Sequence, residues 1–192
     1  MNKQRHITFH KNYFLDFYLE QPEKVQEKIE YVFKIIRNVQ NVPKRFLDHM
    51  TGTDGLYEIR IEFEGNIYRI FCCFDKGNLV VLFNGFQKKK KMKSEEIRNA
   101  KNFDELLDIK YGKIGTKLRD DFEEQAQYYV ISEMLKEARK ESKMTQEQLA
   151  EKIGTKKSYI SRLENGQCDI HLSTLYRVFE LGLGRQVNLI IG

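Results

Sequence analysis

The sequence predicts an α+β domain, a small antiparallel sheet with a helical hairpin, followed by an all-α domain. Three observations carry this reading. Tyr57, Ile59, Ile61 and Phe63 alternate with Glu58, Arg60 and Glu62, the period of a half-buried strand. Val25, Ile29, Val32, Ile36 and Val39 recur at steps of four and three, the stripe of an amphipathic helix. From Thr145 to Gly166, TQEQLAEKIGTKKSYISRLENG sets two short helical stretches on either side of a glycine.

A length of 192 residues, with 41% hydrophobic and 12% aromatic content, suits one or two domains with real cores. The chain has only two prolines and no low-complexity tract, which speaks against disorder. No apolar run approaches the ~20 residues of a membrane span. The N-terminus, MNKQRH, is polar, so neither a membrane anchor nor an export signal is expected. Cys72 and Cys73 are neighbours in a strand and point to opposite faces, so they cannot staple the fold. A reducing cytoplasm is the expected setting. No His/Cys or HExxH spacing suggests a metal, and no cofactor is expected. Residues 1–100 hold 18 Lys and Arg against 13 Asp and Glu, so the whole net charge of +5 lies there. An anionic partner suits that half.

Taken in order, Ile7–Phe9 reads as a short strand, and roughly 12–20 and 22–40 as a helical hairpin with Pro22 at a first helical position. Residues 42–55, VPKRFLDHMTGTDG, read as a loop. In the hairpin that follows, Glu64-Gly65 suits a two-residue turn. Counting outward pairs Phe63 with Asn66, Ile61 with Tyr68, Ile59 with Ile70, and Arg60 with Arg69. Like charges opposed on a sheet cost roughly 0.2–1 kcal/mol. Either an anion sits between the arginines, or the diagonal neighbours Glu58 and Glu62 absorb the charge. A third strand, 78–86, follows a Lys76-Gly77 turn and is expected to pair Phe74 with Leu79, Phe71 with Leu82 and Arg69 with Asn84. Arg60, Arg69, Asn84, Phe86 and Lys88 then share one face, and the helices cover the other, where Ile59, Ile61, Ile70 and Val81 point. Guanidiniums, amide, ring and ammonium together make a surface for phosphate and base. The lysine run after it, KKKKMKSEE, either extends that surface or is a solvated tail.

In the second half, 102–111 reads as a short helix with Phe103, Leu106, Leu107 and Ile109 on its apolar side. GKIGT breaks it, and a long helix runs from about Asp120 to Lys140. Thr145 caps the next helix, with Gln148 as its capping-box partner. Gly154 makes the turn, and 156–164 forms a second helix burying Ile160 and Leu163. Leu172, Leu175, Val178 and Phe179 mark one more helix, and 186–191 reads as a final strand. Short helix, glycine turn and short helix, with small Ala150 at the crossing, make the helix-turn-helix pattern. A bundle used only for protein contacts is the alternative.

On Thr145, Gln146, Leu149, Ala150, Gly154, Ile160, Leu163, Glu164, Asn165 and Gly166, residues 126–182 resemble the Cro/C1-type (XRE-like) helix-turn-helix domain. On LYEIR, NIYRIF, LFNGFQKK and SEEIRNA, residues 7–100 resemble the RelE/ParE superfamily, in its phage-derived HigB-like branch. The segment from Lys101, KNFDELLDIKYGKIGTKLRDDFEE, looks like the opening of a HigA-type antitoxin. The resemblance implies a RelE/HigB-like toxin domain at 1–100, a toxin-contacting segment at 101–125 and a HigA-like DNA-binding domain at 126–192. Such pairs are usually two chains, whereas here Ala100 runs into Lys101. The family's third strand commonly reads HGF where this chain has Asn84-Gly85-Phe86, and His171 stands where a Ser cap is common.

The resemblance further implies that the first half is a ribosome-dependent mRNA endonuclease. Arg60 and Arg69 would hold the phosphate, Lys88 would supply a proton or grip the backbone, and His49 would be the general acid–base imidazole. Asn84, Phe86, Lys89 and Lys91 would bind RNA. Residues 101–124, with seven acids against five bases, are expected to pack on the toxin half and hold it inactive, an acidic group resting between the arginines. By alignment to the same domains, Lys156, Lys157, Ser158 and Arg162 would face base edges, and Gln146, Ser161 and Asn165 phosphates. The expected partners are operator DNA carrying an inverted repeat, bound as a homodimer, mRNA on the ribosome, and the toxin–antitoxin contact itself. Two rivals remain: a regulator with a dead toxin-like domain, and a protein-interaction toxin that binds gyrase, as some ParE relatives do.

Overall fold

The computed structural model describes residues 4–75, 77–84 and 95–188, and the chain divides into two compact units, Met1–Glu123 and Glu124–Gly192. In the first, strand β1 (Ile7–Phe9) leads into helices α1 (Tyr13–Glu20) and α2 (Glu23–Asn38), with Pro22 as the N-cap of α2. Strands β2 (Leu47–His49), β3 (Leu56–Phe63), β4 (Asn66–Asp75) and β5 (Asn78–Asn84) complete a five-stranded sheet ordered β1-β5-β4-β3-β2. Its β2, β3, β4 and β5 run antiparallel, whereas β1 is parallel to β5. Strand β2 lies inside the stretch expected to be loop. At three residues it is too short to display an alternation.

The β3–β4 register is the one the Glu64-Gly65 turn dictates: Phe63 pairs with Asn66, Ile59 with Ile70, and Arg60 with Arg69. Helix α2 packs over β3 and α1 over β5. Val25, Ile29, Val32 and Ile36 are buried as their spacing predicts, and Ile59, Ile61 and Ile70 are buried with them. Phe33 and Ile35, outside that stripe, are also fully buried. A second layer accounts for Phe33, because the chain after Ala100 comes back over α2.

Helix α3 (Glu95–Arg98) packs on α1 and leads to that layer, which α4 (Phe103–Tyr111) opens. Between them the Phe9 N–H donates to the Lys101 carbonyl at 3.0 Å, so the linking backbone edges β1. Asn102 caps α4 by accepting the Glu105 N–H at 2.9 Å. Phe103, Leu106 and Leu107 are buried, with the Phe103 ring edge-on to Phe33 at 5.3 Å. Ile109 was expected on this apolar side but is 39% exposed. Lys110, one residue on, turns inward instead. Its ammonium donates at 2.6 Å to Glu30, a fully buried carboxylate that also receives the Tyr111 hydroxyl at 2.5 Å and the Tyr18 hydroxyl. Helix α5 (Lys117–Glu141) starts three residues before the expected Asp120, and its first turns finish the layer. There Phe122 stacks on Tyr111 and Tyr31, while Lys34 meets Glu123 at 2.5 Å. Arg119, 2% exposed, pairs with Asp108 and Glu123.

The division between the units falls within α5. In the second unit α6 (Gln146–Lys152) and α7 (Lys157–Glu164) form the short pair, joined through Gly154 at φ +68°. Helix α8 (Leu172–Tyr176) continues into a π-helical turn, Arg177–Gly182. Leu135, Leu149, Ala150, Ile153, Ile160, Leu163, Val178 and Leu183 make the core. Gly182 belongs to it by necessity, since a Cβ there would lie 2.7 Å from Leu149 Cδ1. His171 caps α8 without a side-chain hydrogen bond, as expected where a serine is replaced. Residues 186–188 are not strand, and 189–191 of the expected final strand lie outside the described residues. Among the described residues no helix is long and apolar enough to cross a membrane.

Candidate functional site

The sheet register builds the first site. Arg60 and Arg69 are direct neighbours across β3 and β4, with side chains 37% and 49% exposed. Two residues back along β3, on the same face, stands Glu58, only 5% exposed. Its Oε1 accepts the Arg60 Nε–H at 2.6 Å and an Arg69 Nη1–H at 2.6 Å. The Glu58 hydrogen bond and then its charge hold the Arg60 guanidinium still further above its ordinary range. Charge absorption by Glu58 is therefore what the structure contains. Glu62 shares the row but is exposed.

Three acids of 101–123 are paired elsewhere: Asp104 with Arg37, Asp108 with Arg119, and Glu123 with Lys34 and Arg119. This stretch lies in the first unit, where Phe103 meets Phe33 and Phe122 meets Tyr31 of α2. The acid that bridges the arginines is Glu58 and not one of its own. The reason is reach: the segment covers α2, on the opposite side of the sheet from the arginine row.

Two other expected members are not brought to this row. A bulge between Phe71 and Cys72 leaves Leu82 as the extra residue of β5, so Asn84 pairs with Ile70 instead of Arg69 and Phe71 with Phe83 instead of Leu82. Asn84 thus leaves the register row of the arginines. His49 pairs with Tyr57, in the alternate row that holds Ile59 and Ile61, and its ring lies edge-on to Tyr57 at 5.1 Å. It is exposed on the edge strand and is not a neighbour of Arg60 or Arg69. Phe86, Lys88, Lys89 and Lys91 lie outside the described residues. Among the described residues no cluster of His, Cys, Asp and Glu could hold a metal.

The second site is the exposed side of α6 and α7. Thr145 Oγ1 accepts the Gln148 N–H at 3.1 Å while Gln148 Oε1 accepts the Thr145 N–H at 2.8 Å, the reciprocal capping box. Lys156, Lys157, Ser158, Arg162 and Asn165 are exposed, and Ser161 is half-buried. The Lys157 ammonium lies 3.5 Å from Glu147, an exposed contact that a phosphate can displace. Gln146 is oriented from within. Its Nε2 donates at 2.8 Å to Glu164, which is 2% exposed and bound in a fork by Arg139 at 2.5 and 2.9 Å. Burial pushes the Glu164 carboxyl up, but Arg139 and Gln146 outweigh it and hold the group below the usual carboxylate range. Sequence reasoning took Glu164 only as the end of the second helix and as one of the residues carrying the family resemblance, and missed this anchor. The signal was its spacing, four residues after buried Ile160 on the same helix face.

Residues 16–103 match the family described as Phage derived protein Gp49-like (DUF891), and residues 135–181 match the helix-turn-helix family. No curated protein and no solved structure matches the chain.

Proposed function

With a Gp49-like phage-derived toxin domain and a Cro/C1-type helix-turn-helix domain in one chain, we infer that the protein is a toxin–antitoxin module whose first half cleaves ribosome-bound mRNA. Its second half restrains that activity and represses the operon by binding an inverted-repeat operator as a dimer. The observation that supports the nuclease reading is the Arg60–Arg69 pair, two guanidiniums presented side by side on a sheet face that α1 and α2 do not cover. Cleavage of this kind turns the neighbouring 2′-hydroxyl onto the scissile phosphate. Planar forks bind the phosphate oxygens and stabilise the charge that gathers on them. Lys88 remains the proposed proton donor.

One observation favours a second reading, a regulator whose toxin-like domain is inactive: Glu58 already neutralises part of the pair. The experiment compares the full chain with residues 1–123, the whole first unit, in ribosome-programmed mRNA cleavage. The shorter chain should cleave, the full chain less so. Arg60→Lys with Arg69→Lys should cut the rate about 10²-fold or more. Lysine keeps positive charge over buried Glu58 while removing the fork, so the loss would not report an unpaired acid. A folded 1–123 that leaves mRNA intact on ribosomes would defeat the nuclease reading in favour of the regulator.

A further inference from the structure

We propose that Glu58 is a positioning residue, a buried carboxylate that locks Arg60 and Arg69 side by side so that their outward N–H groups form one phosphate-binding edge. The proposal rests on the reading of the arginine row as a phosphate site and adds a residue to it.

The geometry is asymmetric in a useful way. One oxygen, Glu58 Oε1, serves both guanidiniums at 2.6 Å, so the cations come from adjoining strands to a single point. The carboxylate side chain is 7% exposed, whereas the arginines above it are 37% and 49% exposed. Arg60 gives its Nε–H and Arg69 an Nη1–H to the acid, and each guanidinium carries further N–H groups beyond that contact. Without the acid, two long cationic side chains of high rotamer entropy would repel each other and splay. With it, they are ordered before any ligand arrives, which is where preorganised sites gain.

The alternative is plain competition. Charge alone says that an acid beside two arginines weakens an anion site, and Asp48 and Glu62 also act on Arg60 through their charges. The two accounts disagree in sign, so Glu58→Gln separates them. Gln keeps the shape and removes the charge. Competition predicts tighter RNA binding, and positioning predicts weaker binding and slower cleavage, by roughly ten- to a hundredfold.

The test uses the full chain and a short single-stranded RNA blocked by 2′-O-methylation, with binding followed by fluorescence anisotropy across a salt series. In parallel, the arginine Nε–H signals are read by NMR in 15N-labelled protein, with the backbone amides of β3 and β4 reporting that the sheet is intact. The expected result is an Arg60 Nε–H protected from exchange in the parent, lost in Glu58→Gln, with RNA affinity falling alongside it. Glu58→Asp, which keeps the charge on a shorter stem, should also lose affinity. RNA bound as tightly or more tightly by Glu58→Gln, or an unprotected Arg60 Nε–H in the parent, overturns the proposal. Affinity that ignores Arg60→Lys/Arg69→Lys removes the phosphate site itself, a failure distinct from that of Glu58.

Discussion

Lys110→Met should destabilise the first unit by about 3 kcal/mol at pH 7.5, and by much less near pH 4.5. The lysine ammonium is 2.6 Å from Glu30 Oε1, with side chains 14% and 0% exposed. Removing one partner of a buried ion pair costs about 3–5 kcal/mol, because the survivor is left charged in a poor solvent. The lower end applies here, since the Tyr18 and Tyr111 hydroxyls still donate to the carboxylate. Met retains most of the apolar stem, so a cavity contributes little.

The pH dependence follows from the same acid. Burial pushes the Glu30 carboxyl above its ordinary range, and Lys110, Tyr111 and Tyr18 pull it only part of the way back. A group raised in the folded state contributes full stability below its unfolded value, ~4.3, and that stability is lost as pH rises through the folded value. Without Lys110 the folded value rises further, so the deficit widens between pH 4.5 and 7.5. The chain has no Trp, so near-ultraviolet tyrosine dichroism or calorimetry is the assay. The melting point of the first unit should fall by roughly 10 °C at pH 7.5. The double variant Glu30→Gln/Lys110→Met should recover more than half of that. A deficit below ~1 kcal/mol, or one equal at both pH values, would refute the reasoning.

In the second unit, Thr145→Ala removes one half of the capping box and should cost about 1 kcal/mol, seen as a lower melting point for that unit alone. On operator DNA, Arg162→Ala should relax sequence preference by roughly 1–3 kcal/mol of discrimination at one base position. Gln146→Ala should instead weaken binding to every operator variant alike, because the proposed role of this side chain, oriented by Glu164, is a phosphate contact. Equal effects of the two changes across an operator panel, measured by anisotropy, would contradict these roles.

The first hairpin was legible because one face is charged and the other apolar, so a slip of one residue would bury Arg60 and expose Ile59. The next pairing lacked that protection. Ile70-Phe71-Cys72-Cys73-Phe74 and Leu79-Val80-Val81-Leu82-Phe83 are apolar at every position, so either phase buries similar area and nothing in the residues marks Leu82 as a bulge. Asn84 was misplaced for that reason alone. His49 followed from missing β2, since three residues carry no period. The helices were easier: α2, α4, α6 and α7 lie within a residue or two of their expected bounds. What the pattern could not supply was a partner for each buried charge. Glu30, Lys110, Arg119 and Glu164 all stand on faces that periodicity assigns to the core or leaves undecided, and only the fold shows which acid meets which base.

Those charges also bear on how the first half can be restrained. The likeness to an antitoxin opening begins at Lys101, yet the physical unit runs to Glu123. Phe103, Leu106, Leu107 and Phe122 are all buried in that stretch. At roughly 1.5–3 kcal/mol each, their burial amounts to about 6–12 kcal/mol. A whole domain commonly has only about 5–15 kcal/mol of net stability. The segment is thus part of the packed unit, with Phe103 edge-on to Phe33 and Phe122 stacked on Tyr31 of α2. It also lies against α2 and away from Arg60 and Arg69, so it does not block the arginines by covering them. Under the proposed toxin–antitoxin reading, restraint would come from the residues after Glu123, or from what they bind, with 101–123 belonging to the first unit.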